Sequence, residues 1–238
     1  MSPEIVVAEE GALAQVLVGR LGVAAREASA SGRRLSMALP GGSVALALLP
    51  ALAQAPLDWA RWDFFWSDER AVAPDHPDSN YGLGRRLFLE PIGAEPRRIH
   101  RMSAEGPDLA AAAADGESEL VEVLGDPPSL DFVLMGMGPD GHVCSLFPGH
   151  AALREEKRWV LPILDSPKPP PGRITLTLPA LEGAKVVCVA AFGESKAEAL
   201  GAALKDPASA LPVARVARRA RSMLFLLDPA AAARVSRG

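Results

Sequence analysis

The residue in this sequence best suited to proton transfer is a histidine that follows a glycine-rich turn. His142 stands directly after Gly141 in the stretch DFVLMGMGPDGHVCSLFP at 131–148, where an apolar run leads into three glycines. A single histidine with carboxylates nearby indicates general acid–base chemistry, because an unperturbed imidazole titrates close to neutral pH. The alternative is a turn histidine whose hydrogen bonds are satisfied locally and which has no chemical role.

The same stretch contains the spacing G-x-G-x-x-G at 136–141, which is the fingerprint of dinucleotide-binding loops. That fingerprint requires a full helix after the last glycine. Pro148 and Gly149 follow within a few residues, so a helix of that length is not expected. We therefore predict no dinucleotide, and we interpret the glycines as the means of presenting His142.

Two further strand ends carry groups that could face a ligand. The predicted strand at 35–39 runs into Gly41, Gly42 and Ser43 before a predicted helix at 44–52, and glycines at a helix start suit a phosphate. A tight turn with Ser43 as an ordinary N-cap explains the same residues. Asp68 and Arg70 follow the predicted strand at 62–66, either as solvated turn residues or as ligand contacts.

Two cations complete the set of candidate residues. Arg173 opens an alternating segment at 173–178, and Lys196 lies in the first turn of a helix that follows Gly193. A cation at a helix start opposes the helix dipole unless an anion lies nearby, which makes Lys196 a phosphate candidate.

Composition narrows the classes of function. The 238 residues are 49% hydrophobic and carry a net charge of −4, which argues against broad binding to nucleic acid. The two cysteines lie far apart, no cluster of metal ligands is evident, and no apolar stretch is long enough to cross a bilayer. We expect a cytoplasmic protein that uses no metal and does not associate with membranes.

Alternation of strands and helices predicts the architecture. Strands are predicted at 5–7, 35–39, 62–66, 132–135, 159–164, 173–178, 185–191 and 223–227, with helices at 9–29, 44–52, 81–89, 107–124 and 195–204 and a last helix from Pro229. This order is typical of an α/β protein, a three-layer α/β/α sandwich around a mostly parallel, Rossmann-like sheet. Since the carboxyl ends of parallel strands meet at one edge, the candidate residues should converge there. The residue types at these positions favour either proton transfer on a sugar phosphate or hydrolysis of a sugar phosphate by activated water.

Five segments make the chain resemble a known family over nearly its whole length. They are LPGGS at 39–43, WSDERAVAPDHPDSNYG at 66–82, LMGMGPDGHVCSLFPGH at 134–150, LDSPKPPPGRITLTLP at 164–179 and GESKAEAL at 193–200. On these motifs the chain is similar to the glucosamine-6-phosphate isomerase/6-phosphogluconolactonase family, and to its lactonase branch in particular. The resemblance implies one domain over residues 1–238, hydrolysis of 6-phospho-D-glucono-1,5-lactone and no organic cofactor.

The resemblance also implies roles for individual residues. His142 matches the family's general base, Asp140 would orient the site or the imidazole, and Asp68 joins them as a catalytic candidate. The positions that match phosphate or substrate contacts are Gly41, Gly42, Ser43, Arg70, Arg173 and Lys196. For Arg70 the choice between the phosphate and the developing oxyanion stays open.

Two alternatives share this architecture. One is an isomerase or deaminase of amino-sugar phosphates, which is disfavoured because the uncharged segment Ser145–Pro148 follows the histidine motif. The other is a sugar-phosphate-sensing domain, which would be expected to carry a fused DNA-binding segment. The chain departs from the family at 214–219, where a proline and a glycine are usual, so the last strand pairing is uncertain. We expect a monomer whose partner is a small-molecule sugar-phosphate lactone.

Overall fold

The computed structural model describes residues 2–235, in which nine strands form two sheets. In chain order the strands are β1 (Glu4–Val7), β2 (Leu35–Leu39), β3 (Trp62–Trp66), β4 (Asp68–Arg70), β5 (Phe132–Gly136), β6 (Val160–Ile163), β7 (Arg173–Leu176), β8 (Val186–Ala191) and β9 (Met223–Leu227). Six of them form the central sheet in the order β1-β9-β8-β5-β2-β3, and every neighbouring pair is parallel. The predicted mostly parallel sheet is confirmed.

Seven α-helices accompany the strands. They are α1 (Glu10–Ala30), α2 (Gly42–Ala53), α3 (Asn80–Gly84), α4 (Leu109–Leu124), α5 (Leu178–Gly183), α6 (Ala197–Lys205) and α7 (Pro212–Arg219), and α3 continues as a π-helical turn over Arg85–Leu89. Short 3-10 turns lie at Trp59–Arg61, Pro96–Arg98, Ala151–Arg154, Glu194–Lys196 and Ala231–Arg234. None of the helices described within residues 2–235 has the length and apolar character of a membrane span.

Helices cover both faces of the central sheet, which explains why its inner strands are mostly apolar rather than alternating. Strand β2 illustrates the division, because Met37 and Leu39 pack on one face with α1 and α2. Ala38 points to the other face, where α4, α5, α6 and α7 contribute the packing. The three-layer α/β/α prediction is therefore confirmed.

A second sheet was not anticipated from the sequence. Strands β4, β7 and β6 form a three-stranded antiparallel sheet in that order. Strand β4 begins only one residue after β3, and its register pairs Asp68 with Thr175 and Arg70 with Arg173. The charged end of β3 is thus part of a new strand rather than a solvated turn.

Several predicted bounds are corrected by the structure. The strand predicted at 173–178 ends at Leu176, because Thr177 is the N-cap of α5 and its hydroxyl accepts a hydrogen bond from Ala180 N at 3.3 Å, with Pro179 in the first turn of the helix. The helix predicted from Pro229 is a 3-10 turn over Ala231–Arg234 within the described residues. The uncertain segment 214–219 belongs to α7.

Candidate active site

One cleft at the carboxyl edge of the central sheet collects the candidate residues. Its lining includes eight of the nine that the sequence singled out: Gly41, Gly42, Ser43, Asp68, Arg70, His142, Arg173 and Lys196. The ninth, Asp140, is hydrogen-bonded to His142, which lines the cleft. The loops after β2, β5 and β8 reach this edge as parallel strands predict, whereas Asp68, Arg70 and Arg173 enter from the antiparallel sheet.

His142 is held in one orientation by the turn that follows β5. Gly141 has a φ of +80°, which is a left-handed conformation that favours glycine, and Gly138 N donates to the His142 carbonyl at 2.9 Å. The imidazole lies against the backbone at Gly138, where an added Cβ would overlap the ring. On its other side the ring contacts Phe147, with centroids 4.7 Å apart.

The hydrogen bonds of His142 define which nitrogen can act as a base. Nδ1 lies 2.5 Å from the Asp140 Oδ1, and because a carboxylate only accepts, Nδ1 carries the proton. The lone pair then resides on Nε2, for which residues 2–235 provide no hydrogen-bond partner. Burial lowers the pKa of His142, while the bond to Asp140 raises it, and the net direction is downward. The ring is therefore in the base form near neutral pH.

A lysine that sequence reasoning missed completes this cluster. Lys168 Nζ lies 3.3 Å from Asp140 Oδ1 and 3.3 Å from His142 Nδ1. It belongs to the proline loop at 166–172, on which no candidate residue was predicted. The signal available was a single cation inside a stiff loop next to Arg173.

Arg173 is buried, with 4% of its surface exposed, and its guanidinium donates hydrogen bonds to backbone carbonyls of the proline loop. Nη2 donates to the carbonyls of Lys168 and Pro169 at 3.2 and 3.0 Å, and Nε donates to the Pro170 carbonyl at 3.2 Å. Nη1 lies 3.4 Å from the Ser145 hydroxyl. The guanidinium adds positive charge to the cleft while its N–H groups hold the proline loop.

Asp68 is fixed by two residues that the sequence did not single out. Its Oδ2 accepts from the Ser145 hydroxyl at 2.7 Å, and its Oδ1 accepts from Asn80 Nδ2 at 3.1 Å. Asn80 is buried and its Oδ1 has no partner among residues 2–235, close to the backbone of Gly41. Serine and asparagine at these spacings also occur as ordinary caps, so no sequence signal distinguished them.

Glu69 lies on the opposite side of β4 and organises the segment that carries Asn80. Its carboxylate accepts from the backbone N–H groups of Arg70, Asn80 and Tyr81 at 2.7 Å each. Burial raises the pKa of Glu69, and these three N–H groups offset part of that increase. Arg70 is half-buried, and its Nη1 donates to the Asp78 carbonyl at 2.9 Å.

The start of α2 offers backbone donors to the cleft. Gly41 is the N-cap of α2, so the alternative explanation of Ser43 as an ordinary N-cap is wrong. Gly42 has a φ of +59°, and both Gly42 and Ser43 are exposed. Unpaired N–H groups of a helix start attract anions. Across the cleft, burial and the charge of Lys168 lower the pKa of the half-buried Lys196.

Together these residues provide a base, a set of cations and a helix start in one cleft. Within residues 2–235, no three His, Cys, Asp or Glu side chains are grouped as metal ligands. The arrangement can take a proton from water beside an anionic substrate.

Comparison with known proteins relates the chain to enzymes of sugar-phosphate metabolism. Residues 8–225 match the family model described as glucosamine-6-phosphate isomerases/6-phosphogluconolactonase. The chain is 39% identical to a 6-phosphogluconolactonase of Streptomyces coelicolor over 250 aligned positions, which cover 99% of this chain and 96% of the relative. It is 43% identical to a 6-phosphogluconolactonase of Rattus norvegicus over 206 positions, covering 84% and 80%.

Solved structures agree on the fold. The 6-phosphogluconolactonase of Trypanosoma brucei superimposes with a TM-score of 0.84 at 30% identity, covering 99% of both chains. A monomeric glucosamine-6-phosphate deaminase superimposes with a TM-score of 0.79 at 22% identity, covering 98% of this chain and all of that one, a likeness of fold alone.

Proposed function

Because the chain belongs to the glucosamine-6-phosphate isomerase/6-phosphogluconolactonase family, we propose that it hydrolyses 6-phospho-D-glucono-1,5-lactone to 6-phosphogluconate, the second step of the oxidative pentose phosphate pathway. The observation that carries the proposal is the His142–Asp140 pair, whose Nδ1–Oδ1 distance of 2.5 Å leaves Nε2 as the proton acceptor in an anion-binding cleft. The lactonase names of the relatives at about 40% identity favour hydrolysis over isomerisation.

In the proposed reaction His142 acts first as a base and then as an acid. Nε2 takes a proton from water while the water oxygen bonds to the lactone carbonyl carbon, whose carbonyl oxygen becomes an oxyanion. When this intermediate collapses, the bond from that carbon to the ring oxygen breaks. The imidazolium returns its proton to the ring oxygen, which becomes the C5 hydroxyl, and the new carboxylic acid ionises. Asp140 holds Nδ1–H throughout and stabilises the transient imidazolium. The proposed mechanism uses no metal and no cofactor.

The same cleft supports binding of the phosphate. The start of α2 at Gly41, Gly42 and Ser43 offers N–H groups, and Lys196 and Arg70 add positive charge to the same cleft. The buried Arg173 also lines the cleft and contributes its charge. Asp68, fixed by Ser145 and Asn80, is proposed to orient the substrate or the attacking water.

The test of function is proton release from freshly made 6-phosphogluconolactone, corrected for spontaneous hydrolysis. Purified protein should accelerate the reaction, and His142→Gln should lose on the order of 10²-fold or more of kcat/KM, as removal of a general base does. The exposed His76→Gln is the matched control and should retain activity. Retention of normal rates by His142→Gln would overturn the assignment of the base.

Substrate choice tests the rest of the proposal. Unphosphorylated gluconolactone should react much more slowly, because it lacks the group that the cations bind. Equal rates on both lactones would contradict the phosphate site. Release of ammonia from glucosamine 6-phosphate in place of lactone hydrolysis would instead identify the deaminase activity of the family.

A further inference from the structure

Lys168 is a cation that contacts both members of the His142–Asp140 pair. Its Nζ is 3.3 Å from Oδ1 of Asp140 and 3.3 Å from Nδ1 of His142, although it comes from a different segment of the chain. Because Nδ1 already donates to Asp140, the ammonium donates its hydrogen bond to the carboxylate and not to Nδ1. A second proton on the ring would place two like charges within hydrogen-bond distance.

We propose that Lys168 is a further residue of the active site, a positioning residue that holds the His142–Asp140 pair in the form that accepts a proton from water. The proposal rests on the lactone hydrolysis proposed above. Lys168 acts through His142 and Asp140, by binding the carboxylate and by opposing a positive charge on the imidazole.

Charged groups face His142 from several elements, and their signs explain why such a cation is useful. Asp140 on the histidine's own turn and Asp68 on β4 both raise the pKa of His142, whereas burial and Lys168 lower it. Without Lys168, only burial would oppose the two carboxylates, and the pKa of His142 would be higher. The other cations that line the cleft are Arg70, Arg173 and Lys196.

The position of Lys168 depends on the way its loop is fastened. Ser166 Oγ donates to the Lys168 carbonyl at 2.8 Å and accepts from the Lys168 N–H at 3.2 Å. The Arg173 fork binds the carbonyls of Lys168, Pro169 and Pro170 at 3.0–3.2 Å. The buried guanidinium therefore holds the backbone from which Lys168 reaches the pair, which makes Arg173 the residue that positions Lys168.

The experiment compares Lys168→Met with Lys168→Arg, which keeps the charge, and with the exposed control Lys157→Met. NMR titration of the His142 imidazole, assigned by its absence in His142→Gln, should show a higher midpoint in Lys168→Met. Lys168→Arg and Lys157→Met should titrate close to the unsubstituted protein. When kcat/KM for lactone hydrolysis is plotted against pH, the acid limb should lie at higher pH in Lys168→Met than in the unsubstituted protein. The loss of kcat/KM in Lys168→Met should be several-fold at about pH 5.5 and should become smaller towards about pH 8.

Two results would overturn the proposal. One is an unchanged His142 midpoint in Lys168→Met. The other is a KM raised equally at every pH with no movement of the acid limb, which would make Lys168 an anion contact. Since the NMR titration needs no substrate, it tests the inference even if the protein fails to hydrolyse the lactone. Conversely, if the protein hydrolyses the lactone but the His142 midpoint is unchanged in Lys168→Met, the proposed function stands and the role of Lys168 is refuted.

Arg173→Lys tests whether Arg173 holds the proline loop, because it keeps the positive charge and removes the guanidinium hydrogen bonds to the loop carbonyls. The His142 midpoint should rise towards that of Lys168→Met, and Arg173→Lys should cause no further rise when combined with Lys168→Met. An equal rise in both backgrounds would show that Arg173 does not act through Lys168. Thermal unfolding of each variant checks that the loss of this buried side chain has not unfolded the protein.

Discussion

At the scale of single residues, the two shortest histidine–aspartate contacts within residues 2–235 have different surroundings. His142 and Asp140 lie at the cleft, while His150 Nε2 lies 2.9 Å from the exposed Asp165 Oδ1 outside it. A hydrogen bond between these residue types therefore does not identify a catalytic pair. The cleft pair is distinguished by the free Nε2 of His142 and by its contact with Lys168, whereas both ring nitrogens of His150 are hydrogen-bonded.

This contrast provides a matched test of the carboxylate. Asp140→Asn should lower kcat on the order of 10²-fold, because an amide neither fixes the Nδ1–H tautomer nor stabilises the imidazolium. Asp165→Asn makes the same chemical change in the other pair and should leave the rate of lactone hydrolysis unaltered. The measurement is steady-state proton release. A similar loss in both variants would point to a general effect of charge rather than to Asp140.

At the scale of elements, the turn after β5 positions the imidazole as closely as its hydrogen bonds do. Gly138 leaves no room for a side chain, since a Cβ there would overlap the His142 ring and approach Asp140. The glycine spacing that imitates a dinucleotide fingerprint is thus explained by close packing against a histidine and by the left-handed Gly141.

Gly138→Ala should therefore impair chemistry more than folding. We expect at least about a tenfold loss of kcat, because a small displacement of a catalytic group costs up to roughly 10²-fold. Gly116→Ala is the control, since Gly116 lies in α4 and a Cβ added there would meet open space. This substitution should raise the free energy of unfolding by about 0.5–1 kcal/mol. Rates and urea unfolding of both variants are compared. Normal activity of Gly138→Ala would mean that the ring can shift without consequence.

At the scale of the whole molecule, a charged cluster far from the proposed chemistry links β3 to α4 and makes stability depend on pH. His100 Nδ1 lies 2.8 Å from Glu119 Oε1, and His100 Nε2 lies 3.5 Å from Oδ1 of the buried Asp63. Burial alone lowers the pKa of His100, but the two carboxylates outweigh it and the pKa is raised above 6.5. His100 therefore binds its proton more tightly in the folded state than in the unfolded state.

The sign of the pH dependence follows from that direction. The stabilisation is fully present below a pH of about 6.5, the pKa of histidine in an unfolded chain, and is lost as pH rises through the higher folded value. The free energy of unfolding by urea should fall between about pH 6 and pH 8.5, and the decrease should be smaller in His100→Gln. Equal decreases in the two proteins would show that the cluster does not titrate in this range.

Sequence periodicity predicted most of the molecule but not its second sheet. The central strands are identifiable because buried parallel strands are mostly apolar, and the convergence of Gly41, Asp68 and His142 follows from their position at strand ends. The segment at 173–178 alternates in the same way whether it joins a parallel or an antiparallel sheet, so its pairing with β4 was not predictable. The contact of Lys168 with His142 depends on that pairing, which is why the lysine was missed.

The pairing of the first and last strands has a consequence for how the protein is made. Strand β1 hydrogen-bonds within the central sheet only to β9, and β9 lies between β1 and β8. During synthesis the amino-terminal strand therefore emerges without a neighbour and stays unpaired until residues 223–227 have left the ribosome. The cleft has no such dependence, because β2, β4, β5, β7 and β8 each pair with at least one strand that is synthesised before β9. The pairing of β1 with β9 is therefore among the last strand pairings of the central sheet to become possible during synthesis. A chain truncated before β9 would leave β1 without a partner strand.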